Sequence, residues 1–337
     1  MRAYQLTSTD GIDALNAVEL PMPTAGPGQV VVRLHAASLN YRDLLIATGR
    51  YGMASTRPNL IPLSDGAGEV VEVGPGVTNL RVGDRVAGIF HQNWIAGEAT
   101  DAILGSALGG ELDGVLCEYR AFDAQGLVRL PDHLSYEQAA TLPCAAVTAW
   151  NSLFCHQPVQ PGDTVLTLGT GGVSVFAIQF AHAAGARVIA TSSSDEKLQH
   201  VRELGATDLI NYKRTPEWDE EVLRLTDGRG VDHVVEVGGA GTMERSIRAT
   251  RRGGHVGVIG VLTMGQINPI LVLLKGLILR GIFVGSREMF EAMNRAIAAN
   301  QIQPVIDRTF GFDEVHAAYR HLESGSHVGK VVIKISD

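Results

Sequence analysis

The sequence predicts an α/β protein of two domains, a doubly wound parallel sheet joined to a separate β-rich domain. Three observations carry this expectation. The 337-residue chain is too long for one comfortable hydrophobic core. Its first ~125 residues are short apolar runs punctuated by glycine turns, a density of turn chemistry that marks antiparallel strands. From about residue 130 onward, strand-length and helix-length segments alternate for ~150 residues, as a parallel sheet with crossover helices requires.

In chain order, Gly26-Pro27-Gly28 precedes a strand over 29–34, the strand 68–73 runs into Gly74-Pro75-Gly76, and Gly83-Asp84 leads into Arg85-Val86-Ala87-Gly88. Ser135-Tyr136-Glu137-Gln138 has the form of a capping box and opens a helix. A strand over 164–168, a helix to Ala184, a strand over 187–190 and a helix to Leu204 begin an alternation that continues to a strand at 256–259. Gly185 and Gly205 stand where helix C-termini favour a left-handed residue. Thr215-Pro216 and Asn268-Pro269 each read as an N-cap followed by an N1 proline. The most apolar stretch, 267–284, contains Pro269, Lys275 and Arg280, and predicts a buried helix followed by a strand rather than a membrane span. A last strand at 329–335 stands apart from the alternation and is expected to rejoin the first domain.

The composition is that of a globular chain, 45% apolar and 19% charged. A formal charge of −8 argues against nucleic acid or an anionic membrane as the main partner. Cys117, Cys144 and Cys155 are few, scattered and odd in number, which implies no disulfide framework and a reducing, cytoplasmic setting. The opening Met1-Arg2-Ala3-Tyr4-Gln5-Leu6 lacks the apolar core of a signal peptide.

The most informative segment is Thr164-Val165-Leu166-Thr167-Leu168-Gly169-Thr170-Gly171-Gly172-Val173-Ser174. A buried strand enters a glycine-rich turn and then a helix, the arrangement whose amides and dipole hold a pyrophosphate. Gly169, Gly171, Gly172 and Val173 are the candidate cradle, although Ser174 replaces the third glycine of the strict fingerprint. An NAD site expects a carboxylate at the end of the next strand. Here that strand ends in Thr191-Ser192-Ser193-Ser194, with Lys197 following. Hydroxyls and a cation suit a 2′-phosphate, so NADP(H) is the expected cofactor. Ser193 and Glu196 could equally form a capping box, with Lys197 a solvated helix residue.

With these residues in view, the chain resembles the zinc-independent quinone oxidoreductase (zeta-crystallin-like) branch of the medium-chain dehydrogenase/reductase superfamily. The resemblance covers essentially the whole length. It rests on Ser38-Leu39-Asn40-Tyr41-Arg42-Asp43-Leu44, on Asp65-Gly66-Ala67-Gly68-Glu69-Val70 with Val82-Gly83-Asp84-Arg85-Val86, on the turn at 169–173, and on Leu204-Gly205-Ala206 with Asn211-Tyr212-Lys213. It implies a GroES-like domain at 1–127, completed by 299–337, and a Rossmann domain at 128–298, with the active site in the cleft between them. Zinc-dependent relatives carry a Cys and a His-Glu pair where this chain has Asn40, Ser64 and Asp65, a poor ligand set. They also carry a four-cysteine lobe, and the matching stretch, roughly 91–116, contains no cysteine. Without a Lewis acid to hold an alkoxide, favourable substrates delocalise the incoming charge themselves, as quinones and α,β-unsaturated carbonyls do.

The resemblance further assigns Thr148 to the nicotinamide end, Tyr212 to the adenosine phosphate, Val237 and Gly260 to the carboxyl edge of the sheet, Phe283 and Val284 to the nicotinamide, and Lys330 to the cofactor from the last strand. Asn40 and Tyr51 are the candidates for the substrate end, Asn40 beside the nicotinamide and Tyr51 as a pocket hydroxyl. Tyr41 and Arg42 depart from the family pattern, which puts substrate choice in doubt. His91 and Trp94 read as loop packing. Relatives pair across a two-fold axis through the strand matching 277–284, which implies a homodimer. Three functions compete: a quinone or enone reductase, an enoyl-thioester reductase, and a nucleotide-binding protein without turnover.

Overall fold

The protein is described by a computed structural model covering residues 1–51 and 57–336. Its strands, in chain order, are β1 (Arg2–Leu6), β2 (Leu15–Glu19), β3 (Gln29–Ser38), β4 (Asp65–Val73), β5 (Arg85–Gly88), β6 (Tyr119–Asp123), β7 (Leu127–Arg129), β8 (Thr164–Leu168), β9 (Arg187–Ser192), β10 (Asp208–Asn211), β11 (Val231–Glu236), β12 (Thr250–Val258), β13 (Ile278–Gly281), β14 (Ile306–Gly311) and β15 (Lys330–Lys334). The chain divides into two units, Met1–Val147 with Gly285–Asp337, and Thr148–Val284.

The first unit is built on a sheet in the order β14-β15-β3-β4-β5-β7, with β6 also paired to β3. Its pairs are antiparallel except β14 with β15. The last strand does return to this unit, since Val332 of β15 pairs with Ser38 of β3. A core of Leu34, Leu63, Val115, Leu116, Phe310 and Tyr319 lies under the sheet.

The second unit is a six-stranded, wholly parallel sheet in the order β10-β9-β8-β11-β12-β13. Strands β8 and β11 are buried along their full length, as expected where helices cover both faces. The order reverses between β8 and β11, and in open α/β sheets ligands bind at the carboxyl ends beside such a reversal.

The units divide further inward than the expected boundaries at 127/128 and 298/299. Two segments cause the shift. Ser38 Oγ donates to Ala140 O at 2.9 Å and Cys144 N to Asp65 Oδ2 at 3.0 Å, tying the helical stretch before Val147 to the first unit. Asn294 Nδ2 donates to Arg129 O at 3.0 Å, which ties the helix Arg287–Asn300 there too.

Local signals held where they were purely local. The helix Tyr136–Ala139 carries the Ser135/Gln138 capping box, and Gly185 and Gly205 have φ of 79° and 113°. Asn268 caps the helix Pro269–Lys275 by accepting from Ile270 N. Thr215, however, is not an N-cap. The amides of Arg214 and Thr215 both close on Asn211 O, and this turn delays the helix until Trp218–Leu225. Nor is the helix of the 267–284 segment buried: Ile270, Leu273, Leu274 and, at the start of β13, Ile278 are 56%, 77%, 62% and 49% exposed, while Leu277, Ile282 and Val284 are buried. The physical reason is position, because β13 is the edge of its sheet. Among the described residues no helix is long and apolar enough to cross a membrane.

Candidate active site

In the second unit, β8 ends at Leu168 and the chain turns through Gly169, whose φ of 71° favours glycine. Ser174, in place of a third glycine, closes the turn by donating from Oγ to Leu168 O at 2.7 Å. The helix Gly172–Ala183 follows, with Gly171 as its N-cap and Val173 in its first turn. A Cβ built on Gly171 would meet nothing within 4 Å, so packing against this chain does not require glycine there. The space before the helix N-terminus is open, and its first amides lack partners within the helix. That combination fits the pyrophosphate of a dinucleotide.

The end of β9 differs in detail from expectation. Ser194, not Ser193, caps the helix Asp195–Glu203, accepting from Lys197 N at 3.4 Å. Ser193 is thereby released from capping, while Ser192 is buried and accepts from Ser194 N. The nearest carboxylate, Asp195, is engaged by Asn211 Nδ2 at 2.6 Å and by an ion pair with Arg214. Tyr212 N donates to Ser192 O at 3.0 Å, which brings the part-exposed Tyr212 to the same strand end. Ser193, Lys197, Tyr212 and Arg214 therefore share one edge. Arg214 was not anticipated. Its sequence signal, a cation two residues past Tyr212, acquires meaning only once β10 lies beside β9.

At the ends of β11 and β12, Val237 and Gly260 prove to be steric partners. A Cβ on Gly260 would lie 1.8 Å from Val237 O, while Gly260 N donates to Glu236 O at 2.9 Å. Glu236, also unanticipated, is fully buried. Its carboxylate accepts from Gly238 N at 2.7 Å, Gly239 N at 3.1 Å, Thr242 Oγ1 at 2.6 Å and Ser246 Oγ. Phe283 and Val284 lie beyond β13 rather than at its end, since that strand stops at Gly281. Val284 adopts a left-handed φ of 56°, costly for a β-branched side chain, and Asn151 Nδ2 holds its carbonyl at 2.7 Å. Thr148, the first residue of this unit, is buried.

In the first unit, Asn40 precedes the helix Tyr41–Ala47. Asp43 Oδ2 accepts from Asn40 N at 2.7 Å, and the Asn40 carboxamide makes no cap of its own. It is turned instead toward Lys330, a buried residue of β15, whose Nζ donates to Asn40 Oδ1 at 2.5 Å and to Leu39 O at 2.6 Å. Asn40 Nδ2 faces Ser64 Oγ at 3.5 Å, Ser64 Oγ donates to Asp65 Oδ1 at 2.6 Å, and Asp65 Oδ2 lies 3.9 Å from Lys330 Nζ. Burial raises the Asp43 carboxyl to about 6, against the opposing charge of Arg42.

Arg42 is itself buried, with Nη1 on Leu108 O at 2.7 Å and its guanidinium 5.1 Å and 4.6 Å from the rings of Tyr51 and Phe90. Burial pushes the Tyr51 hydroxyl above its usual range, with Arg42 opposing. Burial, aided by the charge of Arg42, lowers His91 to about 3, and its ring packs against Phe90. Burial raises the Cys144 thiol, so it is a poor nucleophile.

The site offers zinc an amide, a hydroxyl and one carboxylate, all engaged with one another and facing an ammonium. That donor set does not fit the ion. Among the described residues no group of three or more His, Cys, Asp and Glu side chains is disposed to hold a metal.

Comparison with known proteins agrees with this architecture. Residues 26–132 match the family model for the alcohol dehydrogenase GroES-like domain, and residues 172–299 match that for zinc-binding dehydrogenases. A zinc-type alcohol dehydrogenase-like protein of Schizosaccharomyces pombe is 48% identical over 96% of each chain. The 2-methylene-furan-3-one reductase of Solanum lycopersicum is 32% identical over 99% of this chain and 79% of its own length. The crystal structure of a Sinorhizobium meliloti protein assigned to the alcohol dehydrogenases superposes with a TM-score of 0.93 at 38% identity, covering 99% of this chain and 98% of that one. A mycobacterial protein solved in complex with NADPH superposes at 0.84 with 27% identity, over 99% and 100% of the two chains.

A glycine turn on a doubly wound sheet in one unit, and a GroES-like fold in the other, define an oxidoreductase of the nicotinamide-dependent kind. The chain belongs to the medium-chain dehydrogenase/reductase superfamily.

Proposed function

We propose that the protein is an NADPH-dependent, zinc-independent oxidoreductase of the quinone oxidoreductase branch, acting on a quinone or an α,β-unsaturated carbonyl. The observation that carries this reading is the Lys330–Asn40 pair, which stands where zinc-dependent relatives are expected to place their metal ligands. A site without a Lewis acid favours acceptors that spread negative charge over their own conjugated oxygen. The tomato relative, named for reducing a 2-methylene-furan-3-one, gives the same reading independent support.

When bound, the cofactor supplies hydride. Gly169, Gly171, Gly172 and Val173 would hold its pyrophosphate, and Ser192, Ser193, Lys197 and Tyr212 its adenosine 2′-phosphate. Val237, Gly260, Phe283, Val284 and Thr148 would line its nicotinamide end. On the substrate side, Asn40 Nδ2 offers donors to the carbonyl oxygen, and the Tyr51 hydroxyl, protonated at neutral pH, offers another. The proton that completes reduction comes from solvent or such a hydroxyl.

The exposed apolar residues along 261–278, in the loop and the helix Pro269–Lys275 that lead into the edge strand β13 of an otherwise acidic protein, support a homodimer in which β13 meets its copy. The decisive assay follows NADPH oxidation with quinones, enones, enoyl thioesters and aldehydes. Turnover of the first two classes is expected. Tight NADPH binding with no acceptor reduced would overturn the reading.

A further inference from the structure

We infer that Lys330 is a positioning residue: it fixes the Asn40 carboxamide so that Nδ2 presents a proton to the acceptor's carbonyl oxygen. The inference rests on the carbonyl-acceptor reading above and concerns the same site.

The chemistry of the partners settles the orientation. An ammonium has donors only, whereas a carboxamide has an accepting oxygen on one side and two N–H donors on the other. With Lys330 Nζ at 2.5 Å, Asn40 must turn Oδ1 toward it. Leu39 O takes a second ammonium proton at 2.6 Å, and Asp65 Oδ2, at 3.9 Å, lies beyond hydrogen-bond length. Burying an ammonium is costly, and this one is compensated by the oxygens of Leu39 and Asn40 and by the charge of the buried Asp65.

On the far side, Ser64 gives its hydroxyl proton to Asp65 and so turns a lone pair toward Asn40 Nδ2, at the long distance of 3.5 Å. The second Nδ2 proton has no partner among the described residues. The order Lys330, Asn40, substrate oxygen thus forms a directed chain of donors. A charge at its head polarises the amide and strengthens the terminal N–H as a donor. Hydride delivered to the conjugated carbon would leave negative charge on the carbonyl oxygen, where the Asn40 N–H would stabilise it as a hydrogen-bond donor, its proton staying on nitrogen. Lys330 transfers no proton in this scheme and touches neither substrate nor cofactor, unlike the cofactor contact that the resemblance implies.

The test is a double-substitution cycle on the full-length enzyme, with Lys330→Met, Asn40→Ala and the pair. Removing a donor aimed at a developing oxyanion lowers kcat by about 100-fold or more, and Asn40→Ala is expected to do so. Lys330→Met is expected to lower kcat about 10- to 100-fold with the NADPH Kd, read by fluorescence, within about twofold of wild type. In the Asn40→Ala background the same substitution should cost little more. Multiplying losses would overturn the inference, as would an NADPH Kd raised tenfold with kcat intact.

Should Lys330→Met fail to fold, Asn40→Asp retains an oxygen for the ammonium but deletes both N–H donors. Activity lost with melting temperature kept supports the inference, and activity kept overturns it. A substrate-free readout separates this from the functional reading. The 15N-labelled side-chain amide of Asn40, identified by its loss in Asn40→Asp, should shift in Lys330→Met or Lys330→Arg. If no acceptor is turned over, the functional reading fails while this resonance still reports whether Lys330 holds Asn40. An unmoved resonance refutes the hold itself.

Discussion

The ammonium of Lys330 donates to the carboxamide oxygen of Asn40, joining β15 to the residue before the helix Tyr41–Ala47. A dication placed among Asn40, Ser64 and Asp65 would confront this charge. Dialysis against a chelator should therefore leave the reduction rate and melting temperature unchanged, and elemental analysis should find far less than one zinc per chain. Stoichiometric zinc whose removal abolishes turnover would refute the assignment.

Two glycines separate binding from folding. Gly260→Ala drives a Cβ into Val237 O and should destabilise the protein by about 3 kcal/mol or more. Gly171→Ala enters open space at a backbone conformation alanine accepts, so the urea midpoint should hold or rise slightly. Its NADPH Kd should nevertheless rise at least tenfold. An unchanged Kd would remove the pyrophosphate from this turn.

Cofactor choice should reside at the end of β9. A charge-assisted hydrogen bond contributes about 1.5–3 kcal/mol, so Lys197→Ala should weaken NADPH roughly tenfold or more while NADH changes little. Arg214→Gln should act in the same direction. Equal losses for both cofactors would refute the 2′-phosphate assignment.

The exposed apolar edge makes a prediction about assembly. Sedimentation should give twice the 35.9 kDa chain mass, and Leu273→Glu, at a position 77% exposed, should yield monomers. A monomeric wild type would leave that face unexplained.

His255 makes the fold sensitive to acid. It is buried beside His233, and burial lowers it from 6.5 to about 4, with His233 adding repulsion. Its folded pKa lies below its unfolded one, so the unfolded chain binds more protons between about 4 and 6.5. Stability present above pH 6.5 is therefore lost as pH falls through that window, by about 2 kcal/mol at pH 5. Urea midpoints at pH 7.5 and 5 should converge in His255→Leu. An unchanged difference would show that other groups set the acid limit.

The sequence revealed what neighbours along the chain decide: the alternation from β8 onward, the Ser135 cap and the glycine turn. It misplaced elements wherever a distant or competing partner intervened. Thr215-Pro216 carries a helix-start signature, yet Asn211 O takes the amides of Arg214 and Thr215 into a turn, and the helix starts only at Trp218. Ser193 and Ser194 are equally suited to cap, and one residue of register decided between them. Hydropathy identified 267–284 as apolar but could not say what covers it. Lys330 and Asn40 stand 290 positions apart, and no local pattern pairs them. Glu236 carried no signal in the sequence, and only the fold gathers four donors around it.

Glu236 has a consequence for where an anion can settle. The sheet presents glycine-rich corners after both β8 and β11, and each directs backbone N–H groups into a concavity. The corner after β11 is occupied from within, by the protein's own carboxylate. A phosphate would be repelled there, so on the proposed reading the cofactor's pyrophosphate settles at the corner after β8 and not at its counterpart after β11. If the cofactor binds as proposed, two look-alike corners are thereby kept from competing for its pyrophosphate.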